Sequence, residues 1–372
     1  MSREQLLQMA RNNIAHGDAG TIPQAKEILK VPACNYYDEG RWKLEMKNIF
    51  NRMPLMLAMS AEIRNPGDYK AMEASGIPII IVRDKNGQVR AFVNMCSHRG
   101  AQLMEEGSGN THRFTCPYHA WSYGLDGTLR HTPGRGGFPD VDKAAHGLVP
   151  VAGAIEQGGL VWVTQDTALD PGALAAVPDL LAPEQQVFDA SAFSDPTNWK
   201  LDAETSMEGY HIKSLHRESF YPFGYDNLNV VETFGPHSRV VYPFRRIEQL
   251  RGVPPSDRKL TGFVTSVYML FPNASISVLS KHTNLVILEP VSPTESQWVI
   301  YSLINTSSDG KLIELEDAKR DAAFVNDSGQ EEDRAAATTI QLTLASGANS
   351  HLTFGRFEKA IVHFHRQLGE YL

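Results

Sequence analysis

Between Gly76 and Asn94 the chain is apolar and β-branched in a way that helices are not: the runs IPIIIVRD and VRAFVN flank Lys85-Asn86-Gly87. An Asn-Gly pair between two such runs predicts a β-hairpin. A second hairpin is predicted in RFTCPYHAWSYGLDGTLR, with Leu125-Asp126-Gly127 as its turn, and GGLVWVTQD adds a further strand. Pro, Ala and Leu then dominate from Asp170 to Gln186, which reads as a linker around 170–190. Beyond it come six β-rich runs bounded by Gly, Pro and Asn: NVVETFG, SRVVYPF, FVTSVYMLF, SISVLS, TNLVILEPV and SQWVIYSLI. Helical patterns mark the N-terminus, about 198–217, about 329–346 and about 355–371. This mixture predicts an α+β chain: a small antiparallel β domain, then an antiparallel sheet with helices on one face.

A length of 372 residues suggests two domains, at roughly one per 150 residues. The formal net charge of −8 and the absence of a basic stripe argue against a nucleic-acid or anionic-membrane partner. The polar N-terminus lacks the apolar core of a secretory signal, and nowhere do about 18 apolar residues run together. With three cysteines in all, a disulfide framework is not expected, and the expected compartment is the cytoplasm. Cys34 is expected to be a buried small hydrophobe.

The other two cysteines belong to a pattern. Cys96-x-His98 and Cys116-x-x-His119 place two thiolates and two imidazoles on neighbouring hairpins, a donor set that can divide between the two irons of a [2Fe–2S] cluster. The same donors also suit structural zinc. Against zinc, each pair mixes one Cys with one His, and glycine beside a ligand loop lets backbone N–H groups approach cluster sulfurs.

The stretches CSHRGA (96–101) and CPYHAWSYGLDG (116–127) resemble the large subunit of the Rieske-type ring-hydroxylating and demethylating oxygenases. The resemblance implies an all-β Rieske domain over about 41–170, after a helical segment at 1–40, and a helix-grip catalytic domain over 171–372. It also implies Cys96, His98, Cys116 and His119 as ligands of the [2Fe–2S] cluster.

The second half then needs a consumer of electrons. Within NWKLDAETSMEGYHIKSLH, Glu208 and His211 are three apart, whereas His211 and His216 are five apart, about 140° around an ideal helix. Both imidazoles reach one metal only if the helix bulges or ends; otherwise they are two unrelated histidines. Two imidazoles and a distant carboxylate form the facial triad that holds ferrous iron with open positions for dioxygen. The carboxylate candidates, Asp327, Glu331, Glu332 and Asp333, could equally be a solvated helix start. The resemblance extends to this segment and implies His211, His216 and Asp333 as iron ligands, with Glu332 as the next candidate. It further implies that Glu208 links a cluster histidine of a neighbouring subunit, His119, to His211. Many arene dioxygenases carry Asp at that position; Glu is commoner in relatives acting on quaternary amines. Glu204 is expected on the helix surface, and His363 and His365 in a surface or packing role.

The implied enzyme is a terminal oxygenase that takes electrons from a separate NAD(P)H-dependent reductase, with or without a ferredoxin, because no dinucleotide fingerprint follows a strand here. With dioxygen it would hydroxylate an aromatic or polycyclic substrate, or attack a carbon beside nitrogen or oxygen and release an alkyl group. Met207, Phe220, Phe223 and Tyr225 are expected to line the substrate pocket, where aromatic rings suit a ring or a trimethylammonium group. The family resemblance and the chain length imply a homotrimer without a small subunit. The rival readings are an electron-transfer protein that has lost its iron and a zinc-stabilised binding protein.

Overall fold

The Asn86-Gly87 turn closes as expected, joining strands Ile77–Arg83 and Val89–Val93 with Ile79 opposite Val93 and Ile81 opposite Ala91. Gly87 takes a φ of +77°, a left-handed conformation that costs glycine little. Asp84 secures the turn by accepting the backbone N–H groups of Asn86 and Gln88. The computed structural model describes residues 3–307 and 310–372, except for the side chains of Arg3, Arg135, Pro171, Ala173, Asp327 and Ser328. It divides into two units, one of Phe50–Ala175 and one of Met1–Ile49 with Ala176–Leu372.

The first unit is built of small antiparallel sheets. Four strands run in the order Val89–Val93, Ile77–Arg83, Asp68–Ala74, Gly107–Asn110; three more pair as Gly153–Gln157, Leu160–Thr164, Leu55–Met59; and Phe114–Thr115, Ser122–Tyr123 and Leu129–His131 form a third sheet. Ile80, Val82, Phe92, Phe114, Trp121 and Tyr123 share one core with Cys96 and Cys116. The cysteine loops are therefore fixed from beneath by packed side chains.

The second unit centres on a seven-stranded antiparallel sheet. Each of the six predicted runs is a strand paired with the next, from Val230–Phe234 to Glu295–Ile304. The seventh strand, Val187–Asp195, joins the far edge beside Glu295–Ile304 and begins inside the stretch that reads as linker. Its residues are mostly exposed, so it carries little of the alternation that betrays a half-buried strand. Helix Lys359–Tyr371 buries Ile361, Phe364 and Leu368 and packs against strands Val230–Phe234 and His237–Pro243. No helix among the described residues is long and apolar enough to cross a membrane.

Two helical expectations change. The helix predicted over 198–217 spans only Trp199–Glu204, capped by Asn198 through its bond from the Lys200 N–H. It stops because Thr205 and Ser206 turn their hydroxyls back onto the carbonyls of Asp202 and Ala203, at 2.8 and 3.4 Å, and Gly209 follows. The acidic residues Glu331, Glu332 and Asp333 form the first turn of a helix, but not a free helix start. Helix Leu315–Phe324 runs through a wide π turn, Val325–Gln330, into helix Glu331–Leu344. The buried face of the first of these is Ala318 and Ala322, too small to stand out in a hydropathy pattern.

Glu204 lies buried rather than on a helix surface, because Tyr36 and His365 close over it, each with a polar atom 2.8 Å from its Oε1. Nearby Glu45 bonds the buried Lys200 at 2.7 Å and the Trp199 indole at 3.0 Å, tying the N-terminal segment to this helix. Cys34 is exposed, contrary to the expectation of a buried thiol.

Candidate metal centres and cavity

The two Cys/His loops share one backbone pattern. Cys96 donates its N–H to Ala101 O and accepts from the Gly100 N–H; Cys116 donates to Trp121 O and accepts from the Ala120 N–H, with all four bonds between 2.8 and 3.0 Å. In both loops the residue four after the cysteine is left-handed, Gly100 at φ +78° and Ala120 at φ +59°. Ala120 is a non-glycine residue held in a costly conformation, as occurs where a loop is shaped around a ligand.

These loops bring four donors together. The rings of His98 and His119 lie 4.8 Å apart at 70°. Each of their Nδ1 atoms is buried and lacks a hydrogen-bond partner, which in a metal-free chain would be a cost of about 1–3 kcal/mol per atom. Two orphaned imidazole nitrogens beside two buried thiols fit a metal group between them. Trp121 stacks on His98 at 4.7 Å and fixes its ring plane. Tyr123 OH lies 3.1 Å from Cys96 Sγ; burial and this bond push the phenol up to about 12, so it remains a donor to the sulfur. A donor to a ligand sulfur raises the potential of an iron–sulfur centre.

The second cluster is His211, His216 and Asp333, with one ligand-type atom from each lying within 4.8 Å of the others. The five-residue spacing works because the segment is not helical there. After Glu204 the chain runs in turns, with the Ser214 and Leu215 N–H groups bonded to His211 O and the Tyr221 N–H to His216 O. Tyr242, half-buried on strand His237–Pro243, holds the approach by donating to the carbonyls of Ser206 at 2.9 Å and Glu208 at 3.1 Å. Asp333 Oδ1 then lies 3.2 Å from His216 Nε2 and 3.5 Å from His211 Nε2.

A glutamate stands behind each imidazole. His211 Nδ1 donates to Glu208 Oε1, whose other oxygen accepts the Tyr210 N–H. His216 Nδ1 donates to Glu332 Oε2 at 2.6 Å, and Ser219 Oγ donates to the same oxygen at 2.7 Å. Glu332, the alternative to Asp333 in the sequence, thus faces the rear of a histidine. A carboxylate at Nδ1 fixes the tautomer that leaves the Nε2 lone pair free for a metal. Burial alone would keep both rings neutral, but Glu208 and Asp333 outweigh it at His211, and Asp333 and Glu332 outweigh it at His216, so both titrate above their usual range. Two imidazoles and one carboxylate on one side are the donor set of a non-heme ferrous site.

These residues line a cavity of about 640 Å³, the size of a small-molecule site. Phe220, Phe223 and Tyr225 line this cavity, joined by Phe324, Trp298 and Leu288. Met207 does not line it: it is buried, with 1% exposure. The Phe220 ring lies against Gly329 of the π turn, where a Cβ would run into it. The side chain of Asp327, one of the acidic candidates, lies outside the described part. Phe324 lies outside the segments to which a sequence pattern pointed.

Residues 186–372 match the family described as ring hydroxylating alpha subunit (catalytic domain), and residues 53–143 match the Rieske [2Fe-2S] domain. The chain is 37% identical over 207 residues to the glycine betaine monooxygenase oxygenase subunit of Chromohalobacter salexigens, covering 54% of this chain and 46% of that one. It is 33% identical over 192 residues to the anthranilate 1,2-dioxygenase large subunit of Acinetobacter baylyi, covering 47% and 40%. The chain spans about half the length of the curated relatives it matches. Among solved structures, a quaternary ammonium Rieske monooxygenase with L-carnitine aligns with a TM-score of 0.78 at 21% identity, covering 92% of this chain and 95% of that chain. Naphthalene 1,2-dioxygenase from Rhodococcus sp. bound to indole aligns with a TM-score of 0.76 at 19% identity, covering 100% and 98%. At these identities the structural likeness shows the fold. With both domains matched, the chain belongs to the ring hydroxylating alpha subunit family of Rieske oxygenases.

Proposed function

We propose that this chain is the terminal oxygenase of a multicomponent system, hydroxylating an organic substrate with dioxygen and electrons drawn from NAD(P)H. Cys96, Cys116 and the Nδ1 atoms of His98 and His119 hold the [2Fe–2S] cluster in this reading, and His211, His216 and Asp333 hold the mononuclear iron. When bound, these groups supply one-electron transfer and a site where dioxygen is activated. The protein's own part is positional. Glu208 and Glu332 keep the Nδ1 protons in place, Tyr242 holds the loop that carries Glu208, and the aromatic walls exclude water and seat the substrate.

The observation that carries the proposal is the convergence of His211, His216 and Asp333 on the wall of a largely apolar cavity. One oxygen atom would enter the substrate and the other would leave as water, or both would enter an arene, with two electrons taken from NAD(P)H in either case. An aromatic or polycyclic substrate suits walls such as Phe220 and Phe324. A second reading, attack on a carbon beside a quaternary nitrogen, is favoured by the glutamate at 208 and by the similarity to the glycine betaine and carnitine monooxygenase subunits. Glu208, bonded to His211, would link that ring to His119 of a neighbouring subunit in a homotrimer, and a separate reductase would supply the electrons.

The test is dioxygen- and NADH-dependent turnover with a surrogate reductase, across arenes, aryl ethers and quaternary amines. A hydroxylated or dealkylated product that needs both co-substrates is expected. NADH consumption without product for every class would contradict the proposal.

A further inference from the structure

The cavity wall carries two arginines that the chemistry above does not use. Arg245 and Arg246 both line it. Arg245 lies over the rings of Tyr221 and Tyr225, with Cζ at 5.3 and 5.6 Å from their centres, and its Nη2 reaches only a carbonyl, Tyr221 O, at 3.4 Å. Arg246 stacks on Phe244 at 4.7 Å, donates to Gly262 O and reaches Ser280 Oγ at 3.1 Å. Neither guanidinium pairs with a carboxylate among the described residues.

The carboxylates of the same cavity are all engaged elsewhere. Asp202 accepts from Thr197, Ser296 and Trp298; Glu208 faces His211; Asp321 accepts from His282 and the Lys281 N–H; Asp333 faces both histidines. Two guanidinium groups at solvent-exposed positions of the cavity wall, held against aromatic rings, with a hydroxyl beside them and no carboxylate partner among the described residues, therefore border the same cavity as the candidate iron site. A guanidinium presents a planar fork that matches a carboxylate, and stacking on aromatic rings fixes that fork in advance.

We propose that the substrate is an amphipathic carboxylate, whose apolar body fills the cavity and whose carboxylate is received by Arg245 and Arg246. This rests on the oxygenase reading and narrows it. The body is an aromatic ring or a quaternary ammonium group in a zwitterion, while a bare cation or a hydrocarbon without an anionic group is selected against. A cation lacking a carboxylate meets two positive charges and no free negative one.

The experiment is equilibrium calorimetry on the holoenzyme under anaerobic conditions, so that nothing turns over. Three acids are each compared with their neutral amides: 2-naphthoate, 4-phenylbutyrate and 4-trimethylammoniobutyrate. In at least one pair the acid is expected to bind about tenfold or more tightly than the amide, the scale of a charge-assisted hydrogen bond. In the double variant Arg245→Gln, Arg246→Gln, that ratio is expected to fall toward one while the Kd of the amide stays within about twofold. The amide Kd and the cluster absorbance show that the variant is folded. No binding by any acid, a ratio near one in every pair, or a ratio unchanged in the double variant would overturn the proposal. Binding of an acid through the arginines, with no product from any substrate class under turnover, leaves the carboxylate-binding site standing and removes the oxygenase reading instead.

Discussion

Glu332 Oε2 lies 2.6 Å from His216 Nδ1, on the side of the ring away from Asp333. Two adjacent acidic residues on one helix thus take different positions: Asp333 faces the Nε2 atoms of two histidines, and Glu332 sets the tautomer of one of them. Glu208 stands behind His211 in the same way.

Replacing Glu332 by Ala removes the acceptor for His216 Nδ1 and leaves Ser219 Oγ without its bond. The mononuclear iron should bind about 10–100-fold more weakly, while the cluster is untouched. Iron and acid-labile sulfide measured after dialysis check this: iron should fall toward that of the cluster alone, with sulfide unchanged.

Glu208→Gln keeps an acceptor oxygen for His211 but removes the charge. Both metals should stay bound, and oxidation of the reduced cluster should slow together with product formation. Single-turnover kinetics, following the recovery of visible absorbance as the reduced cluster is oxidised beside the product yield, measure both.

Gly329→Ala places a methyl group where the Phe220 ring now lies. The ring must move into the cavity, at a stability cost of about 1–3 kcal/mol. KM should rise for bulky substrates more than for small ones, which a comparison of KM across substrate size would show.

Acid should weaken the second unit through His237. Its ring is buried, with Nδ1 accepting the Phe271 N–H at 3.0 Å, and burial, aided by the charge of His363, pushes its pKa down to about 4. The unfolded chain binds this proton near the ordinary value of about 6.5, so between pH 6.5 and 4 the unfolded state holds more protons and stability falls with pH. The contribution amounts to about 2 kcal/mol between pH 7 and pH 5. Urea midpoints at the two pH values should differ less in His237→Asn, which keeps an acceptor but cannot be protonated.

The cluster motif was legible because its four donors are local in sequence, although they do not sit on the Asn-Gly and Asp-Gly turns: Cys96 and His98 follow strand Val89–Val93, and Cys116 and His119 lie between Phe114–Thr115 and Ser122–Tyr123. The six main strands were legible because their apolar runs are bounded by turn residues. The facial set was harder. His211 and His216 look mismatched on a helix, and what reconciles them is the end of the helix at Glu204, imposed by Thr205, Ser206 and a tyrosine on a distant strand. Glu204 looked like a surface residue because Tyr36 and His365, which bury it, come from opposite ends of the chain. The edge strand Val187–Asp195 and the helix Leu315–Phe324 lack the strong apolar pattern that a reading by periodicity needs.

The central claim is that this chain holds a [2Fe–2S] cluster and, separately, an iron at His211, His216 and Asp333. Metal and sulfide analysis of the wild type beside Asp333→Ala tests it most directly. About three irons and two sulfides per chain are expected in the wild type, and about two of each in the variant, with the visible spectrum unchanged and turnover lost. A variant that keeps the third iron and its activity would contradict the account.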